Sequence, residues 1–325
     1  MAADPSPAST SLSFPRSTFA KLTPSPFLHA HLKQSPPIRP SGRTLTQFRE
    51  PQITTGSLTY SHGSAVVRLG DTTVVCSVQG EILKASDIPS PPGESADNED
   101  LLETLGLLVP NVELSTGCSS AHLPGNPPST LAQSLSWRVR TLLYGSEVVN
   151  PEDLQIMFTA PKIDEENDAP VPEVKAYWTL YLDIMFISLD GNPFDAAWLA
   201  VMAALRTTTL PKASWDADSE AVVCSPALDD YSRLTLQATP VTATFAVFST
   251  ATSLKQRSEA ESWVIADPDT SEEDVCREAV TVIADGSNEV LGIEKAGGRV
   301  VGKKSVQECV ELTLGRWKEV NAMLP

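Results

Sequence analysis

The sequence predicts an α+β domain in which groups of strands alternate with single helices. Runs rich in β-branched residues are separated by turn signals, and three segments have the apolar periodicity of helices. The predicted order is strands, helix, strands, helix, strands, helix, which favours a layered α+β domain over a doubly wound parallel sheet. With 325 residues, 41% of them apolar, the chain can bury a sizeable core in one large domain or two smaller ones.

The first group of strands is predicted within residues 56–78. Three β-rich runs are separated there by Ser61-His62-Gly63 and by Leu69-Gly70-Asp71, and both triplets are turn signals that supply positions with positive φ. Two adjacent hairpins make a β-meander. Its third run, residues 72–78, is apolar enough to be an interior strand.

Acidic loops, further strands and a helix are predicted between residues 86 and 189. Residues 86–104 are an insertion rich in proline and acidic residues, so we expect a mobile loop that contributes little to folding; residues 164–168 form a second acidic loop. Strands are predicted at residues 107–114, 154–158 and 174–189, the last of them central. A helix begins near Thr130, and its apolar stripe consists of Leu131, Leu135, Val139 and Leu142.

The C-terminal part is predicted to contain a buried helix, several strands and a terminal helix. Asn192 and Pro193 are an N-cap and a first helical residue, and residues 194–206 are apolar nearly all round, so this helix is expected between layers. Strands are predicted at residues 221–224, 233–237, 243–248 and 263–266, with a hairpin at 279–284 and 289–295. Ser305 and Glu308 form a capping box that opens the terminal helix, whose apolar face would contain Val306, Val310, Leu314 and Trp317.

Residues 1–37 are predicted to be an N-terminal extension, and residues 38–325 one domain that carries the 86–104 insertion. The first fifteen residues are rich in Ala, Ser and Pro, which predicts disorder in this part of the extension. Apolar side chains follow but are interrupted by Pro24 and Pro26, so only short helical turns are expected. This apolar segment would pack either on the domain or on a neighbouring protein.

Charge and cysteine content argue against several classes of protein. A net charge of −17 and a pI near 4.6 argue against a free-standing nucleic-acid-binding protein, which needs a basic face. The five cysteines are scattered and include no Cys-x-x-Cys pair, so reduced thiols in an intracellular protein are expected. The longest apolar run, residues 176–189, is broken by Asp183 and is too short to span a bilayer, so no membrane contact is predicted.

Two segments have some features of a catalytic or nucleotide-binding motif. Residues 297–305 nearly match a P-loop, but Lys304 stands where the Mg²⁺-binding Ser or Thr is required, and too few residues follow for the rest of such a domain. Cys118 and His122 could suggest a nucleophile and its base, but no strand-turn-helix elbow or orienting acid is near them. A structural turn and a structural thiol are favoured, and no catalytic, cofactor or metal site is predicted.

Several short segments, in order along the chain, resemble one known family. They are Arg39-Pro40-Ser41-Gly42-Arg43, Phe48-Arg49, Gly56-Ser57, Gly63-Ser64-Ala65 and Gly70-Asp71-Thr72-Thr73-Val74. The set is similar to the opening sheet of the RNase PH-like subunits of the RNA exosome ring, except that Ser41 replaces the customary Asp. Residues 266–273 resemble the Asp-Pro-Thr-x-Glu-Glu segment of the non-catalytic ring lineage.

This resemblance implies an RNase PH-like fold, of the ribosomal protein S5 domain 2-like type, with mixed sheets packed against helices. It implies a non-catalytic structural subunit of a heterohexameric ring that supports 3'-to-5' processing and degradation of RNA, ribosomal RNA included. The implied partners are other RNase PH-like ring subunits, S1/KH cap subunits, hydrolytic exoribonuclease subunits and single-stranded RNA that passes through the ring. The implied location is the nucleus and nucleolus, and also the cytoplasm, and no cofactor is implied.

The alternative within this family is an active phosphorolytic 3'-to-5' exoribonuclease. That reaction needs cations that hold phosphate and a carboxylate near the attacked bond. Active relatives carry an Arg pair at the start of the first long helix and an Asp in a later strand, whereas this chain has Pro127-Pro128-Ser129-Thr130 and residues 237–242 at those places. No Asp or Glu occurs between Asp230 and Glu259, and Asp229-Asp230 is interpreted as a solvated turn. We therefore expect no catalysis.

Four arginines are candidates for contact with RNA or with a neighbouring subunit. Arg138 and Arg140 lie two residues apart on the helix that begins near Thr130, so their side chains point to different faces. One of them could contact RNA or a neighbour, or both could be solvated. Arg39 and Arg43 flank a glycine turn and could brace either the fold or a neighbour.

Overall fold

The structure is a computed structural model that describes residues 15–89, 98–119, 122, 129–159, 172–250, 261–287, 289–298 and 300–324, without the side chains of residues 98–100 and 228. Its helices are α1 (Arg16–Leu22), α2 (Pro24–Leu32), α3 (Asn98–Leu105), α4 (Thr130–Gly145), α5 (Pro193–Arg206), α6 (Thr270–Val275) and α7 (Lys303–Met323). Its strands are β1 (Pro51–Thr55), β2 (Gly63–Leu69), β3 (Thr72–Lys84), β4 (Leu108–Leu114), β5 (Gln155–Phe158), β6 (Glu173–Ser188), β7 (Thr209–Pro211), β8 (Ala213–Asp216), β9 (Ala221–Cys224), β10 (Tyr231–Arg233), β11 (Val241–Ser249), β12 (Ser262–Ala266), β13 (Glu278–Ala284) and β14 (Val290–Ala296).

The first sheet is mixed and six-stranded, in the order β1-β2-β3-β6-β4, with β5 also paired to β6. β4 runs parallel to β6, while the other described pairs of this sheet are antiparallel. β2 and β3 form the predicted tight hairpin, in which Leu69 pairs with Thr72 around Gly70. From Leu180 to Phe186, buried and exposed residues alternate along β6, so one face of the sheet is buried and the other is accessible.

The second sheet is antiparallel and four-stranded, in the order β12-β11-β13-β14. Helix α7 packs on one face, where Cys309 joins Phe245 in a buried cluster. Helix α2 covers part of the other face, where Leu28 and Leu32 join a buried cluster with Phe248. The described part of the N-terminal extension therefore packs on the domain, which is one of the two alternatives that the sequence left open.

Helix α5 lies between the two sheets, as predicted. It packs against β2 and β3 of the first sheet and against β11 of the second, and its residues 194–205 are all buried. Apolar side chains on all sides suit a helix between two layers. Just before it, a Cβ at Gly191 would lie 2.5 Å from the backbone of Asp269, so glycine permits the loop after β12 to approach the start of α5.

The predicted 86–104 insertion extends too far towards the C-terminus. Residues 90–97 lie outside the described part of the chain, but residues 98–105 form α3, where Leu101 and Leu102 are only 6% and 3% exposed. Both leucines belong to the main core, which Leu105 also contacts. The acidic composition concealed this helix, although the three leucines have helical spacing. The predicted acidic loop at 164–168 also lies outside the described residues.

Two predicted strands are shifted along the chain. The first strand of the meander is β1 at Pro51–Thr55, whereas the sequence predicts it at the start of residues 56–78. Gly56, with a φ of +71°, ends β1, and a turn follows. The strand predicted at 233–237 is β10, which lies at Tyr231–Arg233 because it pairs with β7, a strand that the sequence did not predict.

The terminal helix starts earlier than predicted, and its fully buried residues are not the predicted ones, although Val310 and Trp317 of the predicted face pack against buried clusters. It begins at Lys303 after Gly302, without a side-chain cap, so Ser305 and Glu308 do not form a capping box. The buried residues of α7 are Cys309, Thr313, Arg316 and Val320. The buried face is centred on polar and small residues, which an analysis based on large apolar side chains does not detect.

Replacing Leu102 by Ala should lower the free energy of unfolding by about 2–4 kcal/mol, because a cavity replaces the buried methyl groups. Urea denaturation followed by circular dichroism measures this change. The matched control is Glu103→Ala on the exposed side of α3, which should change the free energy by less than about 0.5 kcal/mol. A Leu102→Ala variant as stable as this control would contradict the packing of α3.

Candidate active-site cleft

An open cleft of about 520 Å³ lies at the N-terminal end of α5, between α4 and the second sheet. Its apolar wall includes Leu131, Leu135, Trp137, Leu189 and Phe194. Its polar groups include Arg138, Thr270, Glu273, Thr281, Glu294 and Lys295. Proteins bind ligands in concave, mostly apolar sites with a few converging polar groups, so this cleft is the candidate functional site.

Arg138 and Lys295, the cations among the described residues that line the cleft, are both paired with carboxylates. Arg138 donates from Nε to Glu294 Oε2 over 2.7 Å, and its guanidinium lies 3.7 Å from the centre of the Phe194 ring. Lys295 Nζ lies 3.0 Å from Glu278 Oε2. The chain therefore neutralises both cations with its own side chains.

Glu273 brings a further carboxyl group to the start of α5. Its Oε1 accepts the backbone N–H of Asn192 over 2.7 Å. Burial, with Asp195 and Asp267 nearby, raises the pKa of Glu273 to about 7 against the opposing effects of the Asn192 N–H and of Arg49. Near neutral pH this group is therefore present in both protonation states.

Beneath the cleft, the buried Asp267 joins three segments of the chain. Arg49 donates to both of its carboxylate oxygens, over 2.8 Å and 2.7 Å, and Asn192 Nδ2 donates to Oδ1 over 2.7 Å. Arg43 Nη1 lies 3.2 Å from Oδ2. Burial alone would raise the pKa of Asp267, but the hydrogen bonds and charge of Arg49 outweigh it and hold the pKa below its ordinary value. Asp267 therefore remains ionised and fixes the segment before β1 and the start of α5 to the loop after β12.

Asn192 does not cap α5 with its side chain, contrary to the prediction. Its φ of +49° is left-handed, a conformation that Asn tolerates better than most residues. An N-cap side chain accepts a backbone N–H from an extended backbone conformation, whereas here Nδ2 donates to Asp195 Oδ2 over 2.8 Å and also to Asp267. Asp195 accepts the N–H and hydroxyl of Thr244, and burial raises the pKa of Asp195. These bonds fix α5 to the second sheet.

A second buried ion pair joins Arg39 to Glu272. Arg39 Nε donates to Oε1 over 2.8 Å and Nη2 donates to Oε2, so the contact is bidentate. The guanidinium also donates to the carbonyls of Ala266 and Asp267, over 2.7 Å and 2.9 Å. Because Asp269 and Glu272 form a capping box at the start of α6, the pair anchors α6, and with it Glu273, to the entry of the first sheet.

The four candidate arginines lie in different places. Arg39 is buried and Arg43 is largely buried, and both are paired with carboxylates of the same chain. Arg138 lies in the cleft. Arg140 is exposed in a separate open groove of about 560 Å³ beside β4, with its guanidinium 5.4 Å from the centre of the Tyr144 ring.

The positions expected to hold catalytic groups in an active relative have structural contacts here. Ser129 caps α4 by accepting the N–H of Ala132 over 3.2 Å, while residues 127–128 lie outside the described part of the chain. Within residues 237–242, the carbonyls of Thr239 and Pro240 accept the indole N–H groups of Trp317 and Trp198. This segment holds no carboxylate.

Cys118 and His122 are not arranged as a nucleophile and its base. Cys118 is buried, and burial raises the pKa of its thiol, whereas a nucleophilic cysteine needs a lowered pKa. His122 Nδ1 instead lies 2.7 Å from the hydroxyl of Ser119. Among the described residues, no group of three or more His, Cys, Asp or Glu side chains could hold a metal ion. Within the same residues, no helix combines the length and the apolar character needed to cross a membrane.

Sequence reasoning missed the groups that define this site. In the sequence, Arg49 appears only as part of a motif and Asn192 only as an N-cap. Asp267 and Glu273 appear only as parts of a segment that resembles the non-catalytic ring lineage. The available signal was the acidic segment 266–273, because two of its carboxyl groups, those of Asp267 and Glu272, are buried in ion pairs. Their partners lie more than two hundred residues earlier in the chain.

The sequence matches two models of the 3' exoribonuclease family, domain 1 over residues 47–211 and domain 2 over residues 238–316. It is 34% identical to the exosome complex component rrp43 of Schizosaccharomyces pombe, over 94% of this chain and 97% of that protein. It is 27% identical to the exosome complex component Rrp42 of Thermococcus gammatolerans, over 88% of this chain and 89% of that protein. The match to rrp43 confirms the resemblance to RNase PH-like subunits of the exosome ring, and to ribosomal-RNA-processing protein forty-three among them.

The fold is similar to a chain of the Archaeoglobus fulgidus exosome with RNA bound to the active site, with a TM-score of 0.68 and 21% identity over 95% of this chain and 100% of that chain. It is also similar to a chain of an archaeal exosome core, with a TM-score of 0.64 and 20% identity over 94% and 98% of the two chains. These similarities confirm the predicted RNase PH-like α+β fold.

Replacing Arg39 by Met should lower the free energy of unfolding by about 3–5 kcal/mol, because Glu272 is then buried without its partner. Adding Glu272→Leu should restore part of the loss by removing the second charge. Urea denaturation at neutral pH measures both, with Arg140→Met as the exposed control. If Arg39→Met is as stable as the control, the buried pair does not hold α6.

Glu273→Gln should raise the free energy of unfolding by about 1–3 kcal/mol at pH 8. The pKa of Glu273 is about 7 in the folded chain, above the unfolded value of about 4.3, so the wild type loses stability as pH rises through this interval. The advantage of the variant should disappear near pH 4, where Glu273 is protonated in both states. Thermal unfolding across this pH range measures the difference. An advantage independent of pH would contradict the raised pKa.

Proposed function

We propose that this chain, which belongs to the 3' exoribonuclease family, is a non-catalytic structural subunit of an RNA exosome core ring. One observation carries the proposal: the described cations that line the cleft are paired with carboxylates of the same chain. On this proposal the chain helps to form the ring and its RNA channel. It thereby supports 3'-to-5' processing and degradation of RNA, ribosomal RNA included, without cleaving RNA itself.

The charge distribution of the cleft favours this role over the alternative, an active phosphorolytic exoribonuclease. Phosphorolysis brings two anions together, and preorganised cations must offset their repulsion. Arg138 is neutralised by Glu294, and Glu273 adds another carboxyl group. The N-terminus of α5 offers only about half a unit of positive charge, too little to replace a pair of guanidinium groups.

Two exposed apolar surfaces fit contacts with other RNase PH-like subunits. The accessible face of β6 exposes Tyr181, Met185 and Ile187 by 37–49%. The edge strand β14 exposes Val290, Leu291 and Ile293 by 39–48%. Exposed apolar edge strands tend to pair with other chains, and apolar patches of this kind mark interaction sites. We assign these two surfaces to neighbouring subunits of the ring.

The remaining partners belong to the same proposal. They are S1/KH cap subunits, hydrolytic exoribonuclease subunits and single-stranded RNA in the channel. Arg140 and Trp137 are exposed on α4, so we assign them to contact with RNA or with a neighbour.

The proposal requires no cofactor and no membrane, and it places the protein in the nucleus, nucleolus and cytoplasm. It divides the chain into an extension, residues 1–37, and an RNase PH-like domain, residues 38–325.

Rings reconstituted with this chain and with other subunits that lack activity should not release nucleoside diphosphates from single-stranded RNA at millimolar phosphate. The reason is that the cleft holds no unpaired cation among its described residues. Chromatography of labelled products measures the release, and an active RNase PH-type enzyme is the positive control. Phosphate-dependent product that is lost on Arg138→Ala would overturn the proposal, because it would place catalysis in this cleft.

A further inference from the structure

The positive end of α5 and the guanidinium of Arg138 meet at one end of the cleft. Helix α5 is fourteen residues long, and its own Asn192 side chain makes no cap. Arg138 lies against Phe194, the second residue of that helix. Helix N-termini attract anions, and Arg138, although paired with Glu294, adds the several N–H donors of its guanidinium, so this end of the cleft would favour an oxyanion if nothing else occupied it.

Glu273 already accepts the backbone N–H of Asn192 at the start of α5. We propose that Glu273 determines what the cleft excludes: its carboxylate holds the backbone N–H at the start of α5 and so keeps phosphate and similar oxyanions out. The inference rests on the proposed function, because it names the residue that keeps phosphate out of a non-catalytic cleft. It assigns to the second glutamate of the acidic segment 266–273 a role distinct from that of the first.

The two adjacent glutamates have separate environments. Glu272 is buried in the bidentate pair with Arg39, which holds α6 in place. Glu273 faces the cleft and bonds to α5 across 81 residues of sequence. The capping box and the Arg39 pair both hold Glu272, the residue directly before Glu273, and so fix the backbone that carries Glu273.

Fold stability does not account for a charge at Glu273. Its ionised form is disfavoured by burial and by two carboxylates, as its pKa of about 7 indicates, and a glutamine could accept the same N–H. The charged and titratable groups that face it are Arg49 before β1, Asp195 of α5 and Asp267 after β12, with Arg138, Glu294 and Lys295 across the cleft. A charge kept where it lowers stability is typical of a functional position.

Calorimetric titration of the full chain with sulfate tests the proposal, because sulfate remains a dianion over the whole pH range used. At pH 8, Glu273→Ala should bind sulfate at least about tenfold more tightly than the wild type does, since the like charge is gone and the N–H is free. Glu273→Gln should lie between them, because its amide still accepts the N–H. Asp274→Asn is the matched control: it is exposed on the same helix, changes the net charge equally and should bind sulfate no better than the wild type.

Two further measurements distinguish a specific oxyanion site from non-specific binding of sulfate. The wild type should bind sulfate more tightly as pH falls from 8.5 to 5.5, because Glu273 becomes protonated over this range. This measurement uses the wild type alone, so it does not depend on the folding of a variant. Adding Arg138→Ala to Glu273→Ala should abolish the new site. If Glu273→Ala binds no better than Asp274→Asn, or if its binding survives Arg138→Ala, the result is an adventitious ion only and the proposal is overturned. RNA phosphorolysis by the wild-type chain would contradict the proposed function instead, so the two failures are distinguishable.

Discussion

The buried carboxylate of Asp267 is the contact on which the arrangement of the two sheets depends. An ionised group without water must be paired and hydrogen-bonded, and Asp267 satisfies this requirement with groups from distant parts of the chain. Arg49 comes from the entry of the first sheet and Asn192 from the start of α5, while Asp267 itself follows β12 of the second sheet. One carboxylate thus joins the entry of the first sheet and the start of α5 to the second sheet, and the cleft lies at the end of that helix.

The same principle of internal pairing explains why the cleft differs from a site for anionic substrates. Arg138 and Lys295 reach the cleft, but glutamates of the second sheet neutralise them. Glu273 adds a carboxyl group where the helix would attract an anion. The whole chain is acidic, with a net charge of −17. The described residues that line the cleft likewise supply no excess of positive charge, which an enzyme of this reaction class would need there.

Local patterns were sufficient to predict the long elements but not the site. β6 and α5 were recognised because their apolar patterns extend over many residues, and α4 because its stripe has a helical period. Helix α3 was missed because an acidic segment precedes it, and the most buried face of α7 because Cys309, Thr313 and Arg316 are small or polar. Glu273 and Asp267 could not be assigned from the sequence, because their environment depends on residues that only the fold brings near.

The central claim is that this chain helps to build a ring and does not itself cleave RNA. Native mass spectrometry of the tagged full-length protein, isolated from its own cells, tests this claim most directly. The account predicts a particle in which one copy of this chain is assembled with several different RNase PH-like chains. Isolation of the chain as a stable monomer, or as a ring made of copies of itself, would contradict it.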